Sequence, residues 1–481
     1  MPHKLPDGAF REIERELSEP LFMGVPVGPA LNDALVVKLV DGHGDWSRRE
    51  HWRNRARVTR NRLMPQTASP GANPGLTGHI LITWEKSTPR WDELLQPIVS
   101  ELADLDRAVL FRGPEVAGLL QHGIPALDWK NFARFPAKAW KEEYSRCRPK
   151  WEDRVKRLVA RFGMPKAATE MLNLELLLSS QRIAGCLEAL RREAPELIVT
   201  EYDRNYLWSC LVLAAKQLGI PSVTLQHGVI EQDPIGFSPL LADSIIVWGE
   251  FDRDKLVTAG ENPERILIGG CPRLTREFSS DPSRSRAKLG LEPAPTTVMY
   301  ATSPVPEFIP DVEMFCDAVD AVDDVAGLVR LHPSDSLAKY ESMRQRHPQV
   351  VFSENSAASL DECLAAASLV VVRSSGVGSD ALIKKRPAVV LNPNDTLVGH
   401  DLDLVETAGC LHARSAADLV EVIRCFVNSG PTPASVEKAE RYVGRFCAYF
   451  GDEAAVRTAS LIRESAQEAG QESPSKREVS A

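Results

Sequence analysis

The sequence predicts an α/β protein made of two doubly wound domains, each a parallel sheet with helices on both faces. At 481 residues, the chain exceeds the roughly 250 to 300 residues at which a single hydrophobic core stops growing. Its 43% hydrophobic and 26% charged residues are typical of globular proteins. Short β-rich runs alternate with helical stretches in two separate series, which is the pattern of βαβ units.

The first series of strands follows a linker-like stretch, residues 67–75, that is rich in proline and glycine. We therefore expect residues 1–75 to form an N-terminal appendage and linker, and residues 76–278 to form the first domain. The predicted strands of this domain are residues 80–84, 108–111, 197–200, 222–225, 244–248 and 266–268, and its clearest helices are residues 172–195 and 206–218.

A polar interval at residues 279–295, dense in proline, serine and charge, predicts the crossing between the domains. Residues 296–430 then form the second domain, residues 431–467 form C-terminal helices, and residues 468–481 have too little apolar content to fold. The predicted strands are residues 298–300, 328–330, 350–352, 369–372, 389–391 and 411–413, with helices at residues 311–324 and 359–367.

Composition excludes several classes of protein. A net charge of −9 argues against a chain built to neutralise nucleic acid, so no nucleic-acid partner is expected. Nine cysteines without a C-x-x-C pair indicate neither a zinc site nor a disulfide framework. The longest apolar run, residues 207–215, is about half the ~20 residues that span a bilayer, and the N-terminus lacks the apolar core of a secretory signal. We expect a cytoplasmic protein.

Two basic segments could bring the protein to the inner face of a membrane. One runs from Arg48 to Arg62, and the other, from Lys138 to Arg161, mixes cations with aromatic residues. A solvated charged surface is the simpler interpretation of each segment.

The strand-to-helix turn after the apolar run 369–372 predicts an anion site. Ligands of doubly wound sheets bind beyond the carboxyl ends of the strands. There, Ser374, Ser375 and Gly376 would offer hydroxyl groups and free backbone N–H groups to a phosphate, and Ser379 would lie one helical turn further along. The simpler alternative is a serine that caps an ordinary helix.

His332 follows another predicted strand and precedes Pro333, which disfavours helix at the histidine. The imidazole would then lie at the strand end and donate to a phosphate oxygen, with Arg330 as a second phosphate ligand. The alternative is a structural histidine whose hydrogen bonds are satisfied within the protein.

His227 ends a strand of the first domain, beside Gly228, which leaves the approach to the ring open. Facing a nucleotide across the cleft, it could take a proton from an acceptor hydroxyl. Asp203 is the rival base; it could equally orient His227 or pair with Arg204. The pair Asp401 and Asp403 has a D-x-D form that can hold a divalent cation, but it lies on no clear strand end, and no metal site is predicted.

Five short motifs occur in the order shared by a known group of proteins. They are Q-H-G at residues 226–228, G-x-x-x-x-D-x-L at 249–256, P-R-L at 272–274, H-P at 332–333 and S-S-G at 374–376. In this order, they resemble the metal-independent GT-B transferases of bacterial surface polysaccharides. The group includes capsule-synthesis Kdo transferases, polysialyltransferases and CDP-glycerol glycerophosphotransferases. UDP-N-acetylglucosamine 2-epimerases are more distantly similar.

The resemblance implies a GT-B fold over residues 78–465, with two Rossmann-like domains facing a cleft. It implies that His332, Ser374 and Ser375 hold the donor phosphates, and it matches His227 with a proposed base. The T-P-L-K that follows this histidine in the teichoic-acid branch and the acidic triplet of the polysialyltransferases do not occur. The closing D-G-x-A-x-x-R motif is present in part, ending at Arg457, with Glu453 in place of its glycine.

The sequence thus predicts a glycosyltransferase that moves a sugar or polyol phosphate from a CMP-, CDP- or UDP-linked donor to a glycan or lipid-linked acceptor of a surface polysaccharide. His227, Asp203 and His332 are the predicted catalytic residues, and no metal or other cofactor is expected. One alternative is a UDP-sugar 2-epimerase or hydrolase, which would need carboxylates such as Glu85 or Glu201 near the sugar. Another is a non-catalytic nucleotide-binding scaffold in polysaccharide assembly.

Overall fold

Two parallel sheets form the framework of the protein. The structure, a computed structural model, describes residues 9–31, 35, 52–53, 56, 59, 79–112, 114–120, 123–133, 137–291, 294–394 and 396–476. The first sheet has seven strands in the order β3-β2-β1-β4-β5-β6-β7. These are β1 (Ile80–Trp84), β2 (Arg107–Phe111), β3 (Ala126–Asp128), β4 (Leu197–Thr200), β5 (Ser222–Leu225), β6 (Ser244–Val247) and β7 (Ile266–Ile268).

The second sheet has six strands in the order β10-β9-β8-β11-β12-β13, again all parallel. They are β8 (Thr296–Ala301), β9 (Val325–Arg330), β10 (Val350–Ser353), β11 (Leu369–Val372), β12 (Ala388–Leu391) and β13 (Leu411–Ala413). In each sheet, the strand order reverses beside the first strand, at β1/β4 and at β8/β11. The predicted pair of doubly wound domains is confirmed.

The helices connect the strands and cover the sheets. They are α1 (Ala9–Leu17), α2 (Pro89–Glu101), α3 (Pro114–Ala117), α4 (Trp129–Phe132), α5 (Ala137–Arg161), α6 (Lys166–Glu193), α7 (Trp208–Gln217), α8 (Glu250–Thr258), α9 (Pro282–Leu289), α10 (Ile309–Asp320), α11 (Glu341–Arg346), α12 (Leu360–Ala366), α13 (Val377–Ile383), α14 (Gly399–Leu402), α15 (Ala416–Ser429), α16 (Pro433–Phe446) and α17 (Gly451–Lys476). Helix α9 lies inside the polar interval expected to be the crossing between the domains.

The strands are apolar because helices bury both faces of each sheet. All residues of β1, β4, β9 and β11 are buried, as expected for central parallel strands. One cluster of buried apolar residues continues from Trp84 and Leu225 of the first domain to Val372 and Leu382 of the second. The two domains therefore pack directly against each other.

Residues 9–31 belong to the first domain, unlike the predicted appendage. Phe10, Ile13 and Leu17 of α1 are buried in the same apolar cluster as helices α5, α6 and α7. Glu14 of α1 forms a buried ion pair with Arg204, with 3.0 Å between Oε1 and Nη1. The periodicity of a single short helix could not reveal this long-range packing. The proposed linker, residues 67–75, lies outside the described residues.

The C-terminal helices return to the first domain. The segment between α16 and α17 places Phe450 beside Cys271 of the first domain in a parallel bridge. Arg463 of α17 pairs with Asp104 at 2.6 Å. Helix α17 continues to Lys476, so residues 468–476 of the tail that was predicted to be unfolded are helical.

Of the two segments predicted to contact a membrane, the structure describes one in full and only four residues of the other. The aromatic residues of the segment from Lys138 to Arg161 are buried in the core of the first domain, with Trp140 2% and Trp151 1% exposed. Its prediction as a membrane surface is therefore corrected, because those rings pack against α1 and α6. The segment from Arg48 to Arg62 lies outside the described residues, apart from residues 52, 53, 56 and 59. No helix in the described part of the chain is both long enough and apolar enough to cross a membrane.

Candidate functional site

The turns that follow β5 and β11 meet where the two domains face each other. His227 and Gly228 follow β5, and Ser374 to Gly376 follow β11. A β-carbon built on Gly376 would lie 3.4 Å from Cγ2 of Val229. Gly376 of the S-S-G motif therefore lies beside Val229, the residue that follows the Q-H-G motif, although the two are far apart in the chain.

His227 lies in a box of aromatic rings. Its ring stacks on Trp91 at 5.6 Å and on Phe237 at 4.8 Å between centroids, and the tilted ring of Tyr202 is 4.2 Å away. Burial, together with the charge of Arg90, lowers the pKa of His227 to about 3. The imidazole is therefore neutral near pH 7, and its Nδ1 is buried without a hydrogen-bond partner.

Arg90 contacts one of the two predicted site histidines and acts electrostatically on the other, and sequence reasoning missed it. Its guanidinium donates from Nε and Nη2 to the carbonyl oxygen of His227, at 3.1 and 2.6 Å. A β-carbon on residue 228 would lie 2.5 Å from Nη2, so Gly228 leaves the space that this guanidinium occupies. The same cation acts on His332: burial lowers the pKa of His332, and Arg330 and Arg90 lower it further against the opposing effect of Asp335.

His332 is held at the end of β9 by bonds that leave one ring nitrogen available. Its backbone N–H donates to Oγ1 of Thr302 at 2.8 Å, and its Nδ1 accepts from the N–H of Ser334 at 3.1 Å. Because Nδ1 is an acceptor, the neutral ring carries its proton on Nε2. The ring lines a cavity of about 230 Å³ that Glu354 and Asn355 also line. Nε2 is thus a hydrogen-bond donor suited to a phosphate oxygen.

The turn after β11 has the strained geometry of a ligand-binding loop. Ser374 has a φ of 47°, a left-handed conformation that is uncommon for a residue with a side chain. Its N–H donates to Oδ1 of Asp401 at 2.7 Å, which holds the strain in place. Among the described residues, the N–H groups of Ser375 and Gly376 have no protein acceptor, and Ser374 and Gly376 are exposed. The turn therefore presents two free amides at the boundary between the domains.

Ser379 and Arg330 do not lie in this cleft as predicted. Ser379 is fully buried, with its hydroxyl 2.7 Å from the hydroxyl of Tyr442 and 3.1 Å from Nε2 of His400. It joins α13 to α16 instead of binding an anion. Arg330 is 6% exposed and donates from Nη1 to the carbonyl oxygen of Leu331. Its charge lowers the pKa of His332, but among the described residues its side-chain hydrogen bond goes to the backbone of the protein and not to an open ligand position.

Asp203, the rival base predicted in the first domain, already accepts hydrogen bonds from the backbone. Oδ2 of Asp203 accepts the N–H groups of Leu241 and Ala242, each at 2.9 Å, and the residue is 2% exposed. Asp203 therefore supports the loop after β5, and in the described residues it makes no contact with the ring of His227. Its predicted role as a base, or as the group that orients the base, is corrected.

Two further carboxylates lie at the ends of β1 and β4. Glu201 accepts bonds from the N–H of Glu85 at 2.8 Å, from Nε1 of Trp208 at 2.7 Å and from the hydroxyl of Thr83, while burial raises its pKa to about 7. Glu85 accepts from Nη1 of Arg112 at 3.0 Å and from the amide of Asn205 at 2.9 Å. Neither carboxylate is left without a partner.

The two carboxylates of the D-x-D pair have separate structural roles. Asp401 accepts the N–H of Ser374 and the amide of Asn392, and Asp403 pairs with Nζ of Lys255 at 2.6 Å. Within the described ranges, no group of three or more histidine, cysteine, aspartate or glutamate side chains is arranged to hold a metal ion.

A buried polar connection fixes the His227 loop to α8. Nε2 of Gln226 donates to Oδ2 of Asp252 at 2.6 Å, and Oε1 of Gln226 accepts the N–H of Trp248 at 2.7 Å. Nζ of Lys255, on the same helix, donates to the carbonyl oxygen of Ile230 and to Asp403 of the second domain, both at 2.6 Å. This connection couples the position of the loop to the packing of the two domains.

Asp252→Asn is expected to weaken the dependence of stability on pH. Burial raises the pKa of Asp252 to about 7, against the lowering effects of Gln226, Lys255 and His400, and Asp403 raises it further. The unfolded chain loses this proton at about pH 4, so stability falls as pH rises from about 4 to about 7. The amide cannot ionise, and its oxygen still accepts from Gln226. Urea unfolding at a series of pH values measures the change.

Asp254→Asn is the matched control for this measurement. Asp254 is on the same helix but exposed, and pairs with Arg445 at 2.6 Å. Parallel stability curves for the Asp252→Asn variant and the unchanged protein over pH 4 to 7 would contradict the expected effect.

The two Rossmann-like domains, with their strand ends at a shared boundary, have the GT-B fold. The structure is similar to that of a protein described as a UDP-N-acetylglucosamine 2-epimerase from Listeria monocytogenes, with a TM-score of 0.53 and 14% identity over 82% of this chain and 98% of the other. A second structure described as a UDP-N-acetylglucosamine 2-epimerase aligns with the same TM-score and identity, over 82% of this chain and 97% of its own. At this identity, the similarity establishes the fold alone.

In sequence, the chain has no such counterpart: no protein-family model matches it, and no curated protein matches it.

Proposed function

We propose that the protein is a glycosyltransferase that transfers a sugar or polyol phosphate from a nucleotide-activated donor to a surface-polysaccharide acceptor. The observation that carries the proposal is that the Ser374 turn lies beside Val229, next to His227, where Arg90 donates to the His227 carbonyl oxygen and its charge also acts on His332. Free amides, an imidazole N–H and a guanidinium are the groups that bind phosphate and stabilise the negative charge that develops on a leaving nucleotide.

In this proposal, the donor's phosphates lie between the second-domain turn and Arg90. The amides of Ser375 and Gly376 and Nε2 of His332 donate to phosphate oxygens. Arg90 supplies a full positive charge from the opposite domain, so that the donor itself holds the two domains in register. These groups perform the charge neutralisation for which many transferases use a divalent cation, and we propose that transfer needs neither a metal nor another cofactor.

His227 is the proposed base for the acceptor hydroxyl. A base must be unprotonated before the reaction, and burial keeps this ring neutral. A pKa of about 3 alone would make the ring a weak proton acceptor. The anionic donor offsets part of the charge of Arg90, so the pKa of His227 rises when the donor binds. Trp91 and Tyr202, which are partly exposed, supply apolar faces beside His227 against which a sugar ring of the acceptor can stack.

The geometry supports transfer over the epimerase alternative. Removal of a C–H proton needs a free carboxylate near the sugar. Glu201 and Asp203 are buried, and Glu85 already accepts two hydrogen bonds. The proposed acceptor is a glycan or a lipid-linked glycan, and a cytoplasmic protein at the inner face of the membrane fits such an acceptor.

A panel of CMP-, CDP- and UDP-linked sugars, tested with and without a glycan acceptor and in the presence of a chelator, separates the candidate reactions. Transfer predicts that nucleotide release depends on the acceptor and is unchanged by the chelator. Bound donors should also raise the melting temperature by mass action. Epimerised UDP-sugar without acceptor would establish the epimerase alternative, and binding without turnover would establish the scaffold. A protein that binds no member of the panel would contradict all three.

A further inference from the structure

A second cavity, of about 390 Å³, lies at the edge strand of the first sheet and shares no residue with the candidate site. Its wall combines β7, the start of α8 and the chain that returns from α16 to α17. The volume falls within the roughly 300 to 1,000 Å³ that is typical of small-molecule pockets. The cavity is therefore large enough for a small metabolite.

Two arginine side chains line this cavity without a partner. Arg253 comes from α8 and Arg457 from α17. In the part of the chain that the structure describes, neither side chain has an ion-pair or hydrogen-bond partner, and Nε of Arg253 is buried. Other cations nearby are paired: Arg445 with Asp254 and Lys255 with Asp403, each at 2.6 Å. Because an unpaired guanidinium is costly to bury, the buried Nε of Arg253, with the exposed Arg457 at the same cavity, favours an anionic ligand.

The rest of the lining indicates a ligand with hydroxyl groups. Glu250 is a hydrogen-bond acceptor in the wall, and Tyr449 brings a phenol hydroxyl. Leu267 and Leu461 supply apolar surface for a carbon skeleton. An isolated carboxylate would repel a second anionic group, so the anionic charge must be confined to one end of the ligand, away from Glu250.

We propose that this cavity binds a phosphate monoester of a sugar or polyol, with the phosphate between Arg253 and Arg457 and the hydroxyl groups toward Glu250. Planar guanidinium groups bind phosphate oxygens in pairs, which suits them to this end of the ligand. Arg457 ends the partial match to the closing motif, which reads D-x-x-A-x-R from Asp452, and the proposed site gives that residue a role that the cleft between the domains does not.

The position of the cavity gives the ligand a structural effect. Its lining comes from both the first domain and the returning C-terminal chain, which is attached there by the N–H of Ala448 to the carbonyl oxygen of Trp248 at 2.9 Å. A bound phosphate ester would link α8 to α17 across this attachment. The complex should therefore be more stable than the free protein, by mass action.

Isothermal titration calorimetry with ribose 5-phosphate tests the site. We expect measurable binding to the unchanged protein, and a dissociation constant raised at least tenfold in Arg253→Met and in Arg457→Met. Arg441→Met is the matched control, because Arg441 is exposed on α16 and pairs only with Glu437, at 3.7 Å, among the described residues. Its affinity for ribose 5-phosphate should not change, nor should that of His332→Ala.

The outcomes that overturn the proposal are distinct from failure of the proposed transferase function. Ribose 5-phosphate that binds in the cleft would lose affinity in His332→Ala and keep it in the two arginine variants. The absence of binding at a probe concentration of about 10 mM would also overturn the proposal. Arg457 is exposed, so its variant decides the question even if Arg253→Met fails to fold.

Discussion

Replacing His332 by alanine is expected to lower turnover by roughly 10²- to 10³-fold while leaving the fold intact. The imidazole is the proposed donor to the phosphate of the leaving nucleotide, and its Nε2 has no counterpart in alanine. The fold should survive because the substitution removes little of its hydrogen bonding. The backbone N–H of residue 332 still donates to Thr302, and only the hydrogen bond from the N–H of Ser334 to Nδ1 is lost. Steady-state rates of nucleotide release and the far-ultraviolet circular dichroism spectrum measure the two expectations.

His332→Gln sharpens the test, since the glutamine amide reaches the position of Nε2, can donate to phosphate there and should recover part of the rate. His347→Ala is the matched control; that ring precedes β10, at the opposite edge of the second sheet from the strand ends, and its Nδ1 lies 2.6 Å from Oδ2 of Asp320. Unchanged donor turnover in His332→Ala would remove His332 from the mechanism.

Arg90→Met is expected to lower turnover by about 10²-fold and to raise the pKa of His227. The substitution removes the cation that donates to the His227 carbonyl oxygen, and methionine keeps the length of the side chain. Burial remains the larger cause of the low pKa of His227, so the pKa should move toward its ordinary value of about 6.5 without reaching it. Proton NMR titration of the His227 ring measures the pKa, and the transfer assay measures the rate.

Gly228→Ala displaces the guanidinium of Arg90 but keeps its charge, so it separates the effect of the position of this cation from the effect of its charge. The new β-carbon would lie 2.5 Å from Nη2 of Arg90, and the flexible guanidinium must move away. Turnover should fall as in Arg90→Met, while the pKa of His227 changes less because the charge is still nearby. Arg344→Met, on the surface of α11, provides a charge-matched control. An unchanged rate in both Arg90→Met and Gly228→Ala would show that the guanidinium takes no part in transfer.

The strands could be predicted from the sequence because both faces of these sheets are buried. Strand β1 matches its predicted bounds of 80–84, since every residue from Ile80 to Trp84 is apolar or buried. Strand β3, Ala126–Asp128, was missed because it has three residues and only the middle one is fully buried. A short edge strand carries too few apolar positions to stand out from a loop.

The site could be predicted only as far as the strand ends. His227, His332 and the Ser374 turn follow strands, and the ends of parallel strands share one edge. Ser379 could not be placed, because the partners that bury it, His400 and Tyr442, come from two later segments of the chain. The role of Asp203 likewise depends on backbone amides 38 and 39 residues further along. Arg90 follows the end of β1 by only six residues, but it lies in the first turn of helix α2. The strand-end rule considers only the residues directly after a strand, so it did not select Arg90.

The pairing of Glu14 with Arg204 links the beginning of the chain to the loop beneath the candidate site. Arg204 is adjacent to Asp203 and two residues from Tyr202, whose ring touches His227. A shortened protein that begins at β1 would leave this guanidinium in the interior with no carboxylate to neutralise it. Helix α1 thus supports the loop that places Tyr202 against His227, although the two are far apart in the sequence. Proteolytic removal of α1 would therefore disturb the position of His227.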